Sequence, residues 1–499
     1  MLSGAYLIYG RGISEETAAR IARASTVIAS HPPRWLLDWI PSYNRIFIEY
    51  DSHIISCQDI ARWARTLNAA STGERRHIEV PVVYNGPDLL YVSEHAGLDP
   101  ENVPAIHASV LYRVYAVGFT PGFPFMAEVP EPLRVPRRPE PRKRVPPHSV
   151  GIAGVQTGIY PQESPGGWNL IGRTLVRVYD PRRNKPFLLQ PGDTVRFVPG
   201  EGEPPGAPER LNLLDADGPA LFRVLEPGLL TVPVDSGRFR AGRFGLARSG
   251  PLDPVSFQLA NRLLGNDRNA TVLEMNIAGP VLEALSNVSV AIVSQTISGS
   301  VRGRTLTIKA GEVLDIRKIY DSARAYLAIA GGIATGKFMG SCSPDLKGAI
   351  GGPLRAGDVL IGTEKKRKTI EREWKFSRPD SGTVFLRLLP GPQASREALE
   401  ALTGNTFHVA SGDRMGLRLD GAEVPGGELI SEGVPIGSVQ VPPGGAPMLL
   451  LSDRGTIGGY SKPAVLHPHD LARAGQLRTG DKVAFTLESP EMKYCFIEI

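Results

Sequence analysis

Side chains able to engage a ligand concentrate in residues 149–174, SVGIAGVQTGIYPQESPGGWNLIGRT. Gln156, Trp168, Asn169 and Arg173 stand there among glycines and prolines, and Glu163 is the one acidic residue. Glycine and proline interrupt the stretch too often for a helix, and short apolar runs at 150–152 and 170–171 fall between the breaks. The expectation is short strands joined by tight turns that bring backbone N–H groups, an indole and a guanidinium to one surface. Such a surface suits a planar polar ligand or an anion. The same composition equally describes a glycine-rich barrel corner that binds nothing.

Other chemistry-bearing patterns fail on context. GGIATGK at 331–337 has the spacing of a phosphate-binding loop, but Phe338 stands where Ser or Thr would hold Mg²⁺, and GSCSPD follows in place of a helix. Without a helix N-terminus no dipole faces a phosphate. No HExxH, GxSxG or EF-hand loop occurs. Met492–Lys493 resembles a biotin-carrying pair but lies too near the end for a hairpin around the lysine, so no biotin is expected on this chain. Cys57, Cys342 and Cys495 lie far apart with no CxxC. That spacing predicts a reducing, cytoplasmic setting with neither disulfide nor metal site.

The elements that must position these residues are mostly strands. At ~150 residues per domain, 499 residues suggest about three domains. Gly (55) and Pro (44) are both abundant, which favours turns and β structure. No long apolar run and no basic-then-apolar N-terminus are seen, so neither a membrane span nor a signal peptide is expected. The net charge of +5 is mild, and the basic clusters at 134–144 and 365–368 lack interleaved aromatics, which argues against nucleic acid. Strand and helix signals alternate over 1–85, with Ser14 capping a helix and 77–84 closing a small α/β unit as a strand. Helices follow at 88–98 and 99–106, and from 112 to 200 the text is strands and turns, as in a closed barrel.

Repeats tie the halves together. VPPHSVGI at 145–152 matches VPIGSVQV at 434–441, and PGDTVRF (191–197), AGDVLI (356–361) and TGDKVAF (479–485) are three Gly-Asp turns feeding strands. Between them SGPLDPVSFQLANRLLG (249–265) is the clearest long helix, with Asp253 as N-cap, Pro254 in the first turn and Gly265 as stop.

VGFTPGFPF (117–125), the 149–174 stretch, LLQPGDTVRF (188–197) and PSYNRIFIEYD (41–51) closely resemble the allophanate hydrolase subunit 1 family. That family includes the B component of prokaryotic 5-oxoprolinase and the sporulation-kinase inhibitor. SGPLD (249–253), LANRLLGND (259–267), YLAIAGGI (326–333), LLPGPQ (388–393), DRMGLRLDG (413–421) and SVQVPPGGAPMLLLSDRGTIGGY (438–460) resemble allophanate hydrolase subunit 2, the family of the 5-oxoprolinase C component. The chain thus looks like a B–C fusion.

The resemblance implies a mainly β fold: a small α/β unit at 1–85, cyclophilin-like barrels at 86–205 and 383–489, and a further β unit at 220–363. It implies ATP (with Mg²⁺) as co-substrate in opening 5-oxoproline to glutamate, a separate 5-oxoprolinase A component as partner, and a possible homo-oligomer. It points to His107, Gln156 and Arg173 as catalytic, and to Trp168, Asn169, Asp253, Asn261, Arg262, Asn266 and Arg414 as binding residues. His107 would move a proton, and Arg173 and Arg414 would clamp anions. Alternatives are a non-catalytic regulator of the kinase-inhibitor type and a carboxyltransferase-like part of a biotin-dependent urea or amide carboxylase. The sequence departs from the family pattern at His148, Val234, Cys342, Pro344, Gly455 and Ile457, mostly in the second half.

Overall fold

A computed structural model describes residues 2–67, 76–319, 322–363, 372–377, 382–488 and 495–499; the 365–368 cluster and the 492–493 pair lie outside these. Ser14 caps the first helix, Glu15–Ser30, by accepting the Thr17 N–H at 3.2 Å. The helix lays Ile21, Ala24 and Ile28 against a four-stranded sheet ordered Leu36–Pro41, Arg45–Asp51, Leu2–Ile8, Cys495–Glu498. The last strand returns from the end of the chain to pair in parallel with the first.

Two expectations are corrected here. Cys57 and Cys495 form a disulfide across 438 residues, so the cysteines are not all unpaired. Their spacing could not reveal a pairing created by that returning strand. His77–Val83 does not close the N-terminal unit either: it is a stave of the first barrel, between Asn169–Thr174 and Thr194–Pro199.

That barrel closes through Tyr112–Val117, Pro124–Ala127, Gln156–Ile159 and Ser149–Ala153. Val80, Val114, Ile152, Ile171 and Phe197 fill it, fully buried, each contributing about 1.5–3 kcal/mol. The strands from Ala220–Glu226 through Arg372–Phe376 form a four-stranded and a six-stranded sheet, and helix Pro254–Leu263 packs on the latter. The C-terminal unit is an eight-stranded sheet from Thr383–Pro390 to Lys482–Leu487, with Thr383–Pro390 pairing also to Ile457–Leu466.

The repeats are structural. Ser149 and Ser438 each donate Oγ–H to the carbonyl three residues back, of Pro146 and Pro435, at 2.8 Å in both. The residue before each serine is left-handed: Gly437 at φ 80° and, carrying a Cβ, His148 at φ 67°. In the Gly-Asp turns Asp193, Asp358 and Asp481 accept the N–H three residues back, at 2.8, 2.7 and 2.7 Å. A fourth copy passes unnoticed in the sequence because glutamate replaces aspartate: Glu312 accepts the Lys309 N–H at 2.8 Å. In the first barrel and in the C-terminal sheet the strand after the turn runs parallel to the unit's first strand, Thr194–Pro199 on His77–Val83 and Lys482–Leu487 on Thr383–Pro390. Among the described residues no helix is long and apolar enough to cross a membrane.

Candidate functional site

The two halves meet at the turn after strand Tyr112–Val117. Gly122 donates its N–H to Phe244 O at 2.9 Å, and Tyr179 donates to Gly348 O at 2.7 Å. Phe187 stacks on Phe244 at 4.6 Å. Gly118 and Gly245 permit the approach, since a Cβ on either would lie 2.5 Å from Ile457 and 2.6 Å from Thr120 O. Beneath this contact Phe123, Phe125, Tyr160 and Trp168 form an edge-on aromatic layer shared with Tyr6, Phe47 and Ile457.

On the second-half side, Asp235 organises the turn that holds 341–345. Its Oδ1 accepts Ser341 Oγ–H at 2.5 Å, Ser343 Oγ–H at 2.9 Å and Gly237 N–H at 3.0 Å, and Oδ2 accepts Cys342 N–H at 3.0 Å. Arg238 is fully buried. It donates Nε to Phe338 O at 3.1 Å and Nη2 to Ser343 O at 2.8 Å, while Nη1 has no partner. Burial weakens its hold on the proton, opposed first by the charge of Asp345. Asp345 is buried and accepts the Gly348 N–H at 2.7 Å.

Lys347 stands exposed at the edge, but its ammonium is partly enclosed and burial lowers its pKa against the pull of Asp413, Asp345 and Asp453. Three hydroxyls on the converging loops, Thr120 Oγ1, Ser249 Oγ and Thr456 Oγ1, are buried without partners. An unpartnered guanidinium nitrogen, an ammonium, spare hydroxyls and carboxylates suit a small polar molecule such as an amide, whose oxygen needs donors and whose N–H needs an acceptor. Among the described residues no group of three or more His, Cys, Asp or Glu could hold a metal ion.

The residues selected from sequence fall in three other places. His107 lies inside the first barrel with Nδ1 2.9 Å from Tyr84 Oη and Nε2 3.0 Å from Thr157 Oγ1. Burial lowers its pKa to about 3. That is a correction: a neutral imidazole with both nitrogens engaged holds the barrel together and does not exchange protons with a ligand. Asn169 is buried, donating to Pro136 O at 2.8 Å, with Oδ1 unpartnered. Trp168 belongs to the aromatic layer, and Gln156 is half-buried at the start of its strand. Arg173 is half-buried and spends Nε and Nη2 on Pro147 O, at 3.3 and 3.2 Å.

Asp253 caps Pro254–Leu263 and also accepts Ser256 Oγ–H at 2.6 Å and Gln476 Nε2–H at 2.9 Å. Asn261 and Asn266 tie that helix's far end to Ala270 O and Ile329 O, at 2.8 Å each. Arg262 is exposed. Arg414 is corrected as an anion clamp: it is ion-paired to Glu274 and, at 2.8 Å, to Asp453, and donates to Gly250 O at 2.7 Å. Its guanidinium is already neutralised inside the chain.

Sequence reasoning missed Asp235, Arg238, Asp345 and Lys347. The signal lay in the blocks where family departures were noted. Asp235 and Arg238 closely follow the changed position Val234, and Asp345 and Lys347 closely follow Pro344. Cys342 itself is buried 3.3 Å from Thr271 Oγ1, its thiol pushed up to about 12 by burial, and is inert packing.

Known proteins sharpen the picture. Residues 3–189 match the model of the carboxyltransferase domain, subdomain C and D, and residues 244–487 that of subdomain A and B. The 5-oxoprolinase B component of Escherichia coli O157:H7 is 52% identical over 143 residues, a match spanning 28% of this chain and 65% of that protein. The 5-oxoprolinase C component of Escherichia coli K12 is 32% identical over 53% of this chain and 90% of its own length. The urea amidolyase of Saccharomyces cerevisiae is 28% identical over 54% of this chain and 16% of its own. The crystal structure of TTHA0988 superposes with a TM-score of 0.92 at 47% identity, over 97% of this chain and all of that one. The chain therefore belongs to the carboxyltransferase-domain family, with a half like the B component of 5-oxoprolinase followed by a half like its C component.

Proposed function

We propose that this chain is the fused B–C component of an ATP-dependent 5-oxoprolinase that works with a separate A component, and that the junction beside Arg238 and Lys347 receives the cyclic amide. A lactam is a poor electrophile. Transfer of the γ-phosphoryl group of Mg²⁺-bound ATP to the lactam oxygen releases ADP. Water then adds to the activated carbon and the C–N bond opens to leave an acyl phosphate, which a second water hydrolyses to glutamate and phosphate. Arg238 Nη1 and Lys347 would stabilise charge on the oxygen, and Asp345 would accept the lactam N–H.

One observation carries the reading: loops from both halves converge on a fully buried arginine with an unpartnered nitrogen. Neither half alone assembles that place. The test mixes the chain with its A component and measures ADP release with and without 5-oxoproline. Substrate-stimulated release is expected, lost in Asp345→Asn and Lys347→Met; its absence in the unaltered pair sinks the reading. Both family-model matches and the likeness to urea amidolyase favour a second reading, a carboxyltransferase serving a separate biotin carrier. Carboxyl transfer from biotin to an amide in place of ADP release would select it.

A further inference from the structure

A cavity of about 430 Å³, lined by none of Asp235, Arg238, Asp345 and Lys347, lies between helix Glu15–Ser30, the Gly-Asp turn at 190–193 and residues 243–244. Four arginines, Arg23, Arg76, Arg113 and Arg243, face it against one carboxylate, Asp193. Asp193 is occupied: Arg76 grips it through Nε at 2.9 Å to Oδ1 and through Nη2 to Oδ2. Arg113 is 6% exposed; one nitrogen reaches Glu15 at 3.0 Å and its Nε is buried without a partner. Arg243 is clamped between aromatic faces, its guanidinium carbon 4.2 Å from the Trp39 centroid and 4.5 Å from that of Phe244. Among the described residues neither Arg23 nor Arg243 has a carboxylate within ion-pair distance.

Arg243 is enclosed with a backbone carbonyl, Arg240 O at 3.2 Å, and among the described residues no ion pair, which is costly, and an arginine fixed by stacking has already lost the freedom that binding would otherwise remove. Donors arriving from three separate elements suit a tetrahedral, doubly charged oxyanion better than a planar carboxylate. The volume exceeds what inorganic phosphate fills, leaving room for an organic group against Phe244. We infer that this cavity binds a phosphate-bearing small molecule through Arg23, Arg113 and Arg243. The site goes beyond the reading above, because it requires no second protein and no lactam.

Calorimetry on the intact chain, without the A component, tests it with pyrophosphate, inorganic phosphate, ATP and 5-oxoproline as separate titrants. Pyrophosphate or ATP is expected to bind saturably, and more weakly as salt rises. Arg23→Ala and Arg243→Gln should each weaken binding about ten- to a hundredfold, as loss of a charge-assisted hydrogen bond does. Arg62→Ala, on the surface beside Asp59, should leave it unchanged. Phosphate binding without ATP binding marks a free-anion site; tighter ATP binding marks a nucleotide site. The inference is overturned if no phosphate compound binds, if 5-oxoproline alone binds, or if Arg23→Ala binds as the unaltered chain does. Arg23 lies on a half-buried helix face, so its alanine variant decides the matter should Arg243→Gln not fold.

Discussion

Arg414→Met should destabilise the chain through a charge left behind, not through lost ligand binding. The Arg414 side chain is 5% exposed and its partner Glu274 0% exposed. Glu274 also accepts Tyr326 Oη–H at 2.7 Å and Leu252 N–H at 2.8 Å, so it cannot turn toward water. Removing one member of such a pair costs about 3–5 kcal/mol, since the remaining ion stays buried uncompensated. For the cooperative unit containing the second half, that is about 6–20 °C in the melting transition.

The pH dependence fixes the cause. Burial raises the Glu274 pKa, but Arg414 and Arg324 outweigh it, so the folded carboxyl titrates below its ordinary range. A depressed folded pKa contributes stability above the unfolded value, and that stability is lost as pH falls through the folded one. Without Arg414 the burial effect dominates and the sign reverses, so the variant loses stability as pH rises past the carboxylate range. The deficit should therefore be small near pH 4.5 and full at pH 8, and Arg414→Met with Glu274→Gln should recover part of it. Scanning calorimetry at both pH values measures this. A deficit under about 1 kcal/mol, or one equal at both pH values, would refute the argument. Unchanged stability with lost substrate-stimulated hydrolysis would restore Arg414 as an anion clamp.

Three other perturbations probe separate parts. The folded His107 titrates at about 3, against 6.5 for the free side chain, so the unfolded chain takes up its proton first and stability falls as pH drops across that window. His107→Gln should flatten acid unfolding there and leave the pH profile of activity unmoved, as paired unfolding and rate profiles would reveal. Asp38 is the opposite case: burial, then the charge of Glu49, raise its pKa from 3.8 to about 7, so stability is lost as pH rises through that range. Asp38→Asn should match the unaltered chain at pH 4 and exceed it at pH 8 by about a kcal/mol or more, by urea titration. Gly245→Ala meets both a left-handed φ of 79° and the Thr120 carbonyl at 2.6 Å. It should cost roughly 2 kcal/mol or more by thermal melting and reduce the junction's activity out of proportion.

Local patterns were legible where a short range of sequence decides them. Ser14 and Asp253 cap the helices expected of them, and the Gly-Asp turns recur with the same hydrogen bond. Long-range pairing was not. The strand Cys495–Glu498, with no neighbour in sequence, completes the N-terminal sheet, and His77–Val83 goes to the barrel because Thr194–Pro199 pairs with it. The site was half legible: the family blocks named the loops, but which polar atoms remain free depends on partners the sequence cannot rank. Arg238 and Arg414 look alike as letters. One faces backbone carbonyls and keeps a nitrogen open; the other has two carboxylates.

The contact between the halves explains what joining them in one chain achieves. Tyr6 donates to Gly433 O at 2.8 Å, Arg45 meets Glu432 at 2.6 Å, and Arg248 meets Glu49 at 2.5 Å. Glu432 is simultaneously bound, at 3.0 Å, to the fully buried Lys462. These are interior contacts, with buried charges that separated halves would leave unpaired, so each half on its own would carry exposed aromatics and uncompensated ions. Association of two free chains also costs translational and rotational freedom, estimated at about 4–15 kcal/mol. A covalent connection through the largely exposed stretch at 200–210 replaces that cost with a local concentration in the millimolar range. The junction around Arg238 needs the 118–123 turn from one half and the 235–250 and 338–348 segments from the other. The connection therefore keeps the candidate site assembled at any protein concentration.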